Sequence, residues 1–162
     1  LNTKRSLLDT NMMKLSSLIC QDCSKAAVLF NSKKRILEFI SELAHEKLPY
    51  LSQQDILCAL MNREKLGSTG IGRGIAIPHG RMSGAEEPLA IVLVSETAIN
   101  FDAIDNRPVD IFVALIVPDG DNQQHLKTLA TIADKLNDKE FCKQLRCAKS
   151  DAELYQVIVN QS

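Results

Sequence analysis

Three histidines, five cysteines and one glycine-rich stretch hold most of the reactive chemistry in this 162-residue chain. The densest segment is REKLGSTGIGRGIAIPHGR, residues 63–81. A charged helix end, Arg63, leads into a loop with Gly67 and two hydroxyls, Ser68 and Thr69, and a short strand then presents Pro78-His79-Gly80 at a turn. Glycine backbone can turn its N–H groups toward an anion because no Cβ blocks the approach. Imidazole titrates near neutral pH, so a histidine held between Pro and Gly is a candidate unprotonated nucleophile. Two nucleotide-binding patterns fail on the same residues. Gly67 and Gly72 have P-loop spacing, but Arg73 and Gly74 stand where Lys and Ser/Thr are needed, and Ile75–Pro78 reads as strand, not helix. Gly70, Gly72 and Gly74 do not continue to the third glycine of the dinucleotide pattern.

The other reactive side chains are read one by one. His125 falls in the first turn of a predicted helix, in line with Leu129, Ile132 and Leu136, at the edge of the buried face. A helix N-terminus disfavours its charged form. Arg63 complements a helix C-terminus. His45, among Glu38, Glu42 and Glu46, reads as solvated surface. Asp102 and Asp105 fit an acid/base pair less well than turn positions that accept backbone N–H groups. Cys20-Gln-Asp-Cys23 has redox or zinc spacing but lacks the strand-then-helix setting of a redox motif. No metal ligand set and no cofactor-binding motif is read.

These residues need a scaffold. Ala26–Phe30 is a short apolar run, expected as a buried strand. Ser32 and Ser52 are predicted helix caps, with Pro49 ending the first helix. Leu89–Val94 and Val109–Val117 are near-continuous apolar runs that suit strands covered on both faces. Asp121 or Asn122 opens a third helix with an expected stripe of Leu126, Leu129, Ala130, Ala133 and Leu136. A shorter helix follows Asn137-Asp138, and Ser150-Asp-Ala-Glu153 is a capping box before the last. The order predicts a three-layer α/β domain: a mixed parallel and antiparallel sheet of about five strands flanked by helices.

Composition narrows the function classes. Lys+Arg number 19 and Asp+Glu 20, a net charge of −1, which lacks the basic excess of a nucleic-acid binder. The longest apolar run, Ile111–Val117, is far short of the roughly 20 residues of a transmembrane helix. Aromatics are 4% with no Trp, a poor base-stacking surface. An odd cysteine count and no secretory h-region point to a reducing cytoplasm. Residues 1–14 are polar and weakly patterned, and are expected to be poorly ordered.

The run Arg63–Gly72, REKLGSTGIG, followed by Gly74–Gly80, GIAIPHG, resembles the enzyme IIA (EIIA) family of the bacterial phosphoenolpyruvate:sugar phosphotransferase system (PTS), in its fructose/mannitol class and nitrogen-regulatory branch. Phe101–Asn106, Pro108–Asp110, Leu115–Pro118, His125-Leu126 and Ser150–Tyr155 extend the likeness. The resemblance implies a type-2 EIIA domain over 15–162. It implies that His79 accepts a phosphoryl group from a histidine of an HPr-like phosphocarrier protein. It also implies that His125 supports His79, that Arg63 stabilises charge, and that Gly67, Ser68 and Thr69 lie close to the phosphoryl group. Nitrogen-type regulation through phosphorylation-dependent binding is then the expected function. A sugar-transport EIIA subunit passing the group to a IIB component is the alternative. A metal-dependent hydrolase built on His79, His125 and Asp102 or Asp105, and a pure anion-binding module, stand behind these. Transfer between two imidazoles of similar basicity requires no metal in principle.

Overall fold

The computed structural model describes residues 14–120 and 122–161, so nearly all of the predicted 1–14 tail lies outside the described residues. A one-turn helix α1 (Leu15–Leu18) opens directly into strand β1 (Ile19–Val28). Helices α2 (Lys33–Lys47) and α3 (Gln53–Lys65) follow, each with a serine cap as predicted. The Ser32 hydroxyl accepts from Arg35 N, and the Ser52 hydroxyl from Asp55 N. Strands β2 (Gly70–Gly72), β3 (Ile75–Ala76), β4 (His79–Met82), β5 (Leu89–Ile99) and β6 (Val109–Pro118) come next. Helices α4 (Asn122–Lys135), α5 (Lys139–Cys147) and α6 (Asp151–Gln161) complete the chain.

The strands form one mixed sheet in the order β1-β5-β6-β3-β2, with β4 also paired to β6. β5 and β6 are antiparallel, while β1 runs parallel to β5, and β3 and β4 run parallel to β6. From Ile111 to Val117 every residue of β6 is buried, which requires cover on both faces. That cover comes from α2 and α3, packed on each other, and from α5 and α6, packed on each other. The predicted three-layer α/β architecture is the observed one.

The details differ where local chemistry misled. The described sheet has six strands: Gly70–Gly72, expected as loop, forms β2 against β3, and His79-Gly80, expected as a turn, begins β4. Pro78 sits just before the strand, where its missing N–H costs no ladder bond, and its carbonyl accepts from Leu115 N at 2.9 Å. β3 and β4 therefore run as one interrupted strand along β6, with the break at Ile77–Pro78. β1 begins seven positions before Ala26, since its exposed edge positions carry polar residues. In α4 the buried side chains are Thr128 and Ile132, while Leu126 is 64% exposed, so the expected stripe is rotated toward the His125 line. His45 is half-buried and hydrogen-bonds the Leu51 carbonyl through Nδ1 at 2.7 Å, where solvated surface was expected.

Candidate functional site

α3 delivers Arg63 from its last turn, and Ala59 lies one turn earlier on the same face. β4 can approach that face because residue 80 is glycine: a Cβ there would lie 3.1 Å from Ala59 Cβ. The close approach brings His79 to Arg63. The guanidinium Nε donates to His79 Nε2 at 3.2 Å, and Nη1 donates to the Gly67 carbonyl at 2.8 Å. The other imidazole nitrogen, Nδ1, lies 2.8 Å from the Ile77 carbonyl. A carbonyl only accepts, so the proton sits on Nδ1 and the Nε2 lone pair faces Arg63.

α4 brings His125 to the same place. The two imidazole centroids are 5.5 Å apart and inclined by 51°. His125 Nδ1 is buried without a hydrogen-bond partner among the described residues. Both histidines titrate below their ordinary value. For His79, burial is the main cause, opposed by the Ile77 hydrogen bond and reinforced by Arg63. For His125, burial comes first, then the neighbouring His79 and Arg81. Two half-buried neutral imidazoles thus face an open cleft of about 700 Å³. Arg81, Asn62 and Asn122 add polar groups to its wall, and exposed Leu66 and Leu126 give it an apolar rim.

The glycine-rich loop is held by internal hydrogen bonds. Gly67, Ser68 and Thr69 are not among the residues lining the cleft. The Ser68 hydroxyl donates to the Phe101 carbonyl at 2.6 Å, and the Thr69 hydroxyl donates to Glu64. Several loop N–H groups are also spent internally: Thr69 N on Glu64, Gly70 N on Ser68 Oγ, and Arg73 N on Asp105. Gly67 offers the site a carbonyl rather than an N–H. The loop instead fixes the histidine's backbone. Thr69 O accepts from Ile77 N at 3.0 Å, and Ile77 O in turn holds the His79 ring. Glu64, which sequence reasoning passed over, anchors this chain of contacts. Its carboxylate is 6% exposed and pairs with Lys33 at 3.0 Å. The signal for it was a carboxylate next to Arg63 at the end of the helix.

Asp105 accepts from the backbone N–H of Arg73 and Arg107, as expected for a turn carboxylate. Asp102 faces Lys33 at 3.8 Å. Neither joins the two histidines. Among the described residues, no group of three or more His, Cys, Asp or Glu side chains is placed to hold a metal ion.

The family model for "Phosphoenolpyruvate-dependent sugar phosphotransferase system, EIIA 2" matches residues 18–161. The chain belongs to the PTS EIIA 2 family. An EIIA 2 domain is a component of a phosphoryl relay and exchanges phosphoryl groups with other proteins of that system. This EIIA 2 chain is 50% identical over 149 residues, 90% of each chain, to a nitrogen regulatory protein of Klebsiella oxytoca. Its fold superimposes on nitrogen regulatory protein IIA-Ntr from Neisseria meningitidis with a TM-score of 0.82 and 32% identity, covering 89% of this chain and 98% of that one. A fructose-specific EIIABC component of Bacillus subtilis is 26% identical over 146 residues, 90% of this chain and 23% of that protein. Among the described residues of the EIIA 2 chain, no helix is long and apolar enough to cross a membrane.

Proposed function

We propose that His79 Nε2 accepts a phosphoryl group from a phosphohistidine of an HPr-like carrier in the cytoplasm. The chain then acts as a nitrogen-type regulator through phosphorylation-dependent binding to other proteins. The observation that carries this reading is the fixed tautomer: Nδ1–H on the Ile77 carbonyl leaves the Nε2 lone pair toward the cleft. In the transfer, that lone pair forms the new N–P bond while the donor's N–P bond breaks. The donor imidazole leaves with the electron pair, and His79 keeps its Nδ1 proton throughout. A depressed pKa keeps the acceptor neutral at pH 7.

Arg63 is the residue placed to follow the charge. Its Nε contacts the acceptor nitrogen before transfer, and the same guanidinium can turn to a phosphoryl oxygen afterwards while Nη1 stays on Gly67. We assign His125, 5.5 Å away, as a neutral hydrogen-bonding support. Gly67, Ser68, Thr69 and Glu64 act by holding the backbone of Ile77 and the side chain of Arg63, not by touching phosphate. The apolar rim of Leu66 and Leu126 suits a protein partner better than a small molecule. Phosphate adds roughly −1.5 to −2 near neutral pH to a chain whose net charge is −1, concentrated at this rim.

The identity to nitrogen regulatory proteins, 50% against 26% to a fructose-specific component, favours regulation over sugar transport. Incubation with a purified carrier, already phosphorylated through enzyme I and phosphoenolpyruvate, in the presence of a chelator tests the reading. An acid-labile, base-stable phosphate should appear on wild type and vanish in His79→Gln. Labelling that requires a divalent metal would favour hydrolase chemistry, and no labelling with a cognate donor would leave only an anion-binding module.

A further inference from the structure

Cys20 and Cys23 lie outside the phosphoryl site, on the edge strand β1 of the sheet. Residues three apart on a regular strand point to opposite faces and cannot meet. Here the strand is irregular. Ile19 pairs with Ala90 and Ser24 with Val92, so β1 advances five residues while β5 advances two. The four residues Cys20-Gln-Asp-Cys23 stand opposite the single residue Ile91, a surplus of three that loops out as an extended bulge. This bulge folds the Cys20 thiol back onto Cys23, and the Sγ atoms are 3.3 Å apart. We propose that Cys20 and Cys23 form a redox-active dithiol that exchanges with low-molecular-weight disulfides to close a Cys20–Cys23 disulfide inside the bulge.

The surroundings set the order of events. Cys20 is half-buried at the sheet edge, whereas Cys23 is fully buried. Burial, with Cys20 alongside, pushes the Cys23 thiol up to about 12, so it stays protonated and out of reach of an external disulfide. The Lys47 ammonium, held by Asp22 at 2.7 Å, lies close enough to both sulfurs to interact with their charge. Exposure separates the two sulfurs: an external disulfide can reach Cys20 but not Cys23. Cys20 is thus the entry point and Cys23 the resolving thiol. The thiolate of Cys20 attacks one sulfur of glutathione disulfide, the S–S bond breaks, and glutathione thiolate leaves. Cys23 then gives up its proton and attacks Cys20 Sγ, expelling the second glutathione. Two protein thiols are oxidised, one glutathione disulfide is reduced to two glutathione thiols, and the two protons end on them. The three remaining cysteines lack this arrangement: Cys142 is buried with its thiol on the Leu136 carbonyl, and Cys58 and Cys147 are exposed.

The test reads thiols alone, so it stands or falls separately from the phosphoryl reading. Reduced full-length protein is equilibrated with defined ratios of glutathione disulfide to glutathione, quenched in acid, alkylated and digested with trypsin. Cleavage after Lys14 and Lys25 releases both cysteines on one peptide. The expected result is a peptide two hydrogens lighter, with both alkylatable thiols lost, restored by reductant. In Cys23→Ser, glutathione should accumulate on Cys20, and in Cys20→Ser no adduct should form at Cys23. The proposal is overturned if wild type keeps both thiols free at a ratio that glutathionylates Cys58 and Cys147. A stable glutathione adduct on Cys20 of wild type, with no internal disulfide, overturns it equally.

Discussion

Replacing Arg63 by Ala sets two effects of opposite sign against each other. The guanidinium hydrogen-bonds the Nε2 lone pair at 3.2 Å, so its loss frees the nucleophile. A typical hydrogen bond is worth about 0.5–1.5 kcal/mol net, so this gain is at most about tenfold in rate. Arg63 also depresses the His79 pKa, so the variant's imidazole becomes more basic, though burial, the larger cause, still holds it below the ordinary value. Against these stands the loss of a preorganised cation where phosphoryl charge must be met. Nη1 is already fixed on the Gly67 carbonyl at 2.8 Å, so little reorganisation is needed in the native site. Removing one such donor costs on the order of 100- to 1000-fold, or roughly 3–4 kcal/mol, and this term wins. Arg63→Ala should therefore slow acceptance from a phosphorylated carrier by about 100-fold while raising the His79 pKa. Rapid-quench transfer kinetics and an NMR titration of the imidazole measure the two arms. A rate within about threefold of wild type, a change of under 1 kcal/mol, would refute the assigned role. So would an unchanged His79 titration.

Other outcomes follow from the same geometry. Gly80→Ala places a Cβ 3.1 Å from Ala59 Cβ, so β4 must move off α3; denaturant unfolding should show a loss of about 1–3 kcal/mol, with Arg63–His79 contact weakened and transfer slowed in parallel. His125→Ala should retain the fold and slow transfer by roughly tenfold, the effect of one neutral hydrogen-bonding partner, and unchanged kinetics would remove its support role. Both histidines have folded pKa values below the ordinary value of about 6.5, so the unfolded chain binds protons first as pH falls. Their stabilising contribution is complete above about pH 6.5 and shrinks as pH drops from there toward their lowered native values. Melting temperature should thus fall between pH 7 and 5, and the fall should be shallower in His79→Gln. Glu64→Gln leaves Lys33 only the more distant Asp102 carboxylate and weakens the hold on Thr69, so transfer should slow through the backbone that Thr69 fixes.

How much of this was legible in the sequence depends on what each residue answers to. Leu89–Val94 and Ile111–Val117 announced the central strands because burial on both faces leaves no polar interruption. Ser32, Ser52 and Ser150 announced helix starts because capping is a local interaction. β4 was hidden because Pro78 and Gly80 are turn formers locally, while the pairing that makes them strand comes from Leu115–Pro118. The candidate site divides the same way. His79 and Arg63 share one stretch of sequence, and His125 was placed by its helical register. The resemblance alone put the Ser68 and Thr69 hydroxyls near the phosphoryl group, and their hydrogen-bond partners, Phe101 and Glu64, appear only when the chain has folded. The meeting of Cys20 with Cys23 depends on a bulge whose register is set against β5, and no spacing rule carries that.

The central claim is that the Ile77 carbonyl fixes the acceptor atom of His79. A long-range proton–nitrogen correlation spectrum of the protein, uniformly labelled with nitrogen-15 and phosphorylated through its carrier, tests it most directly. The account predicts a phosphorus-bonded Nε2 on His79, with Nδ1 still protonated and hydrogen-bonded. Phosphate on Nδ1, or on any residue other than His79, would contradict it.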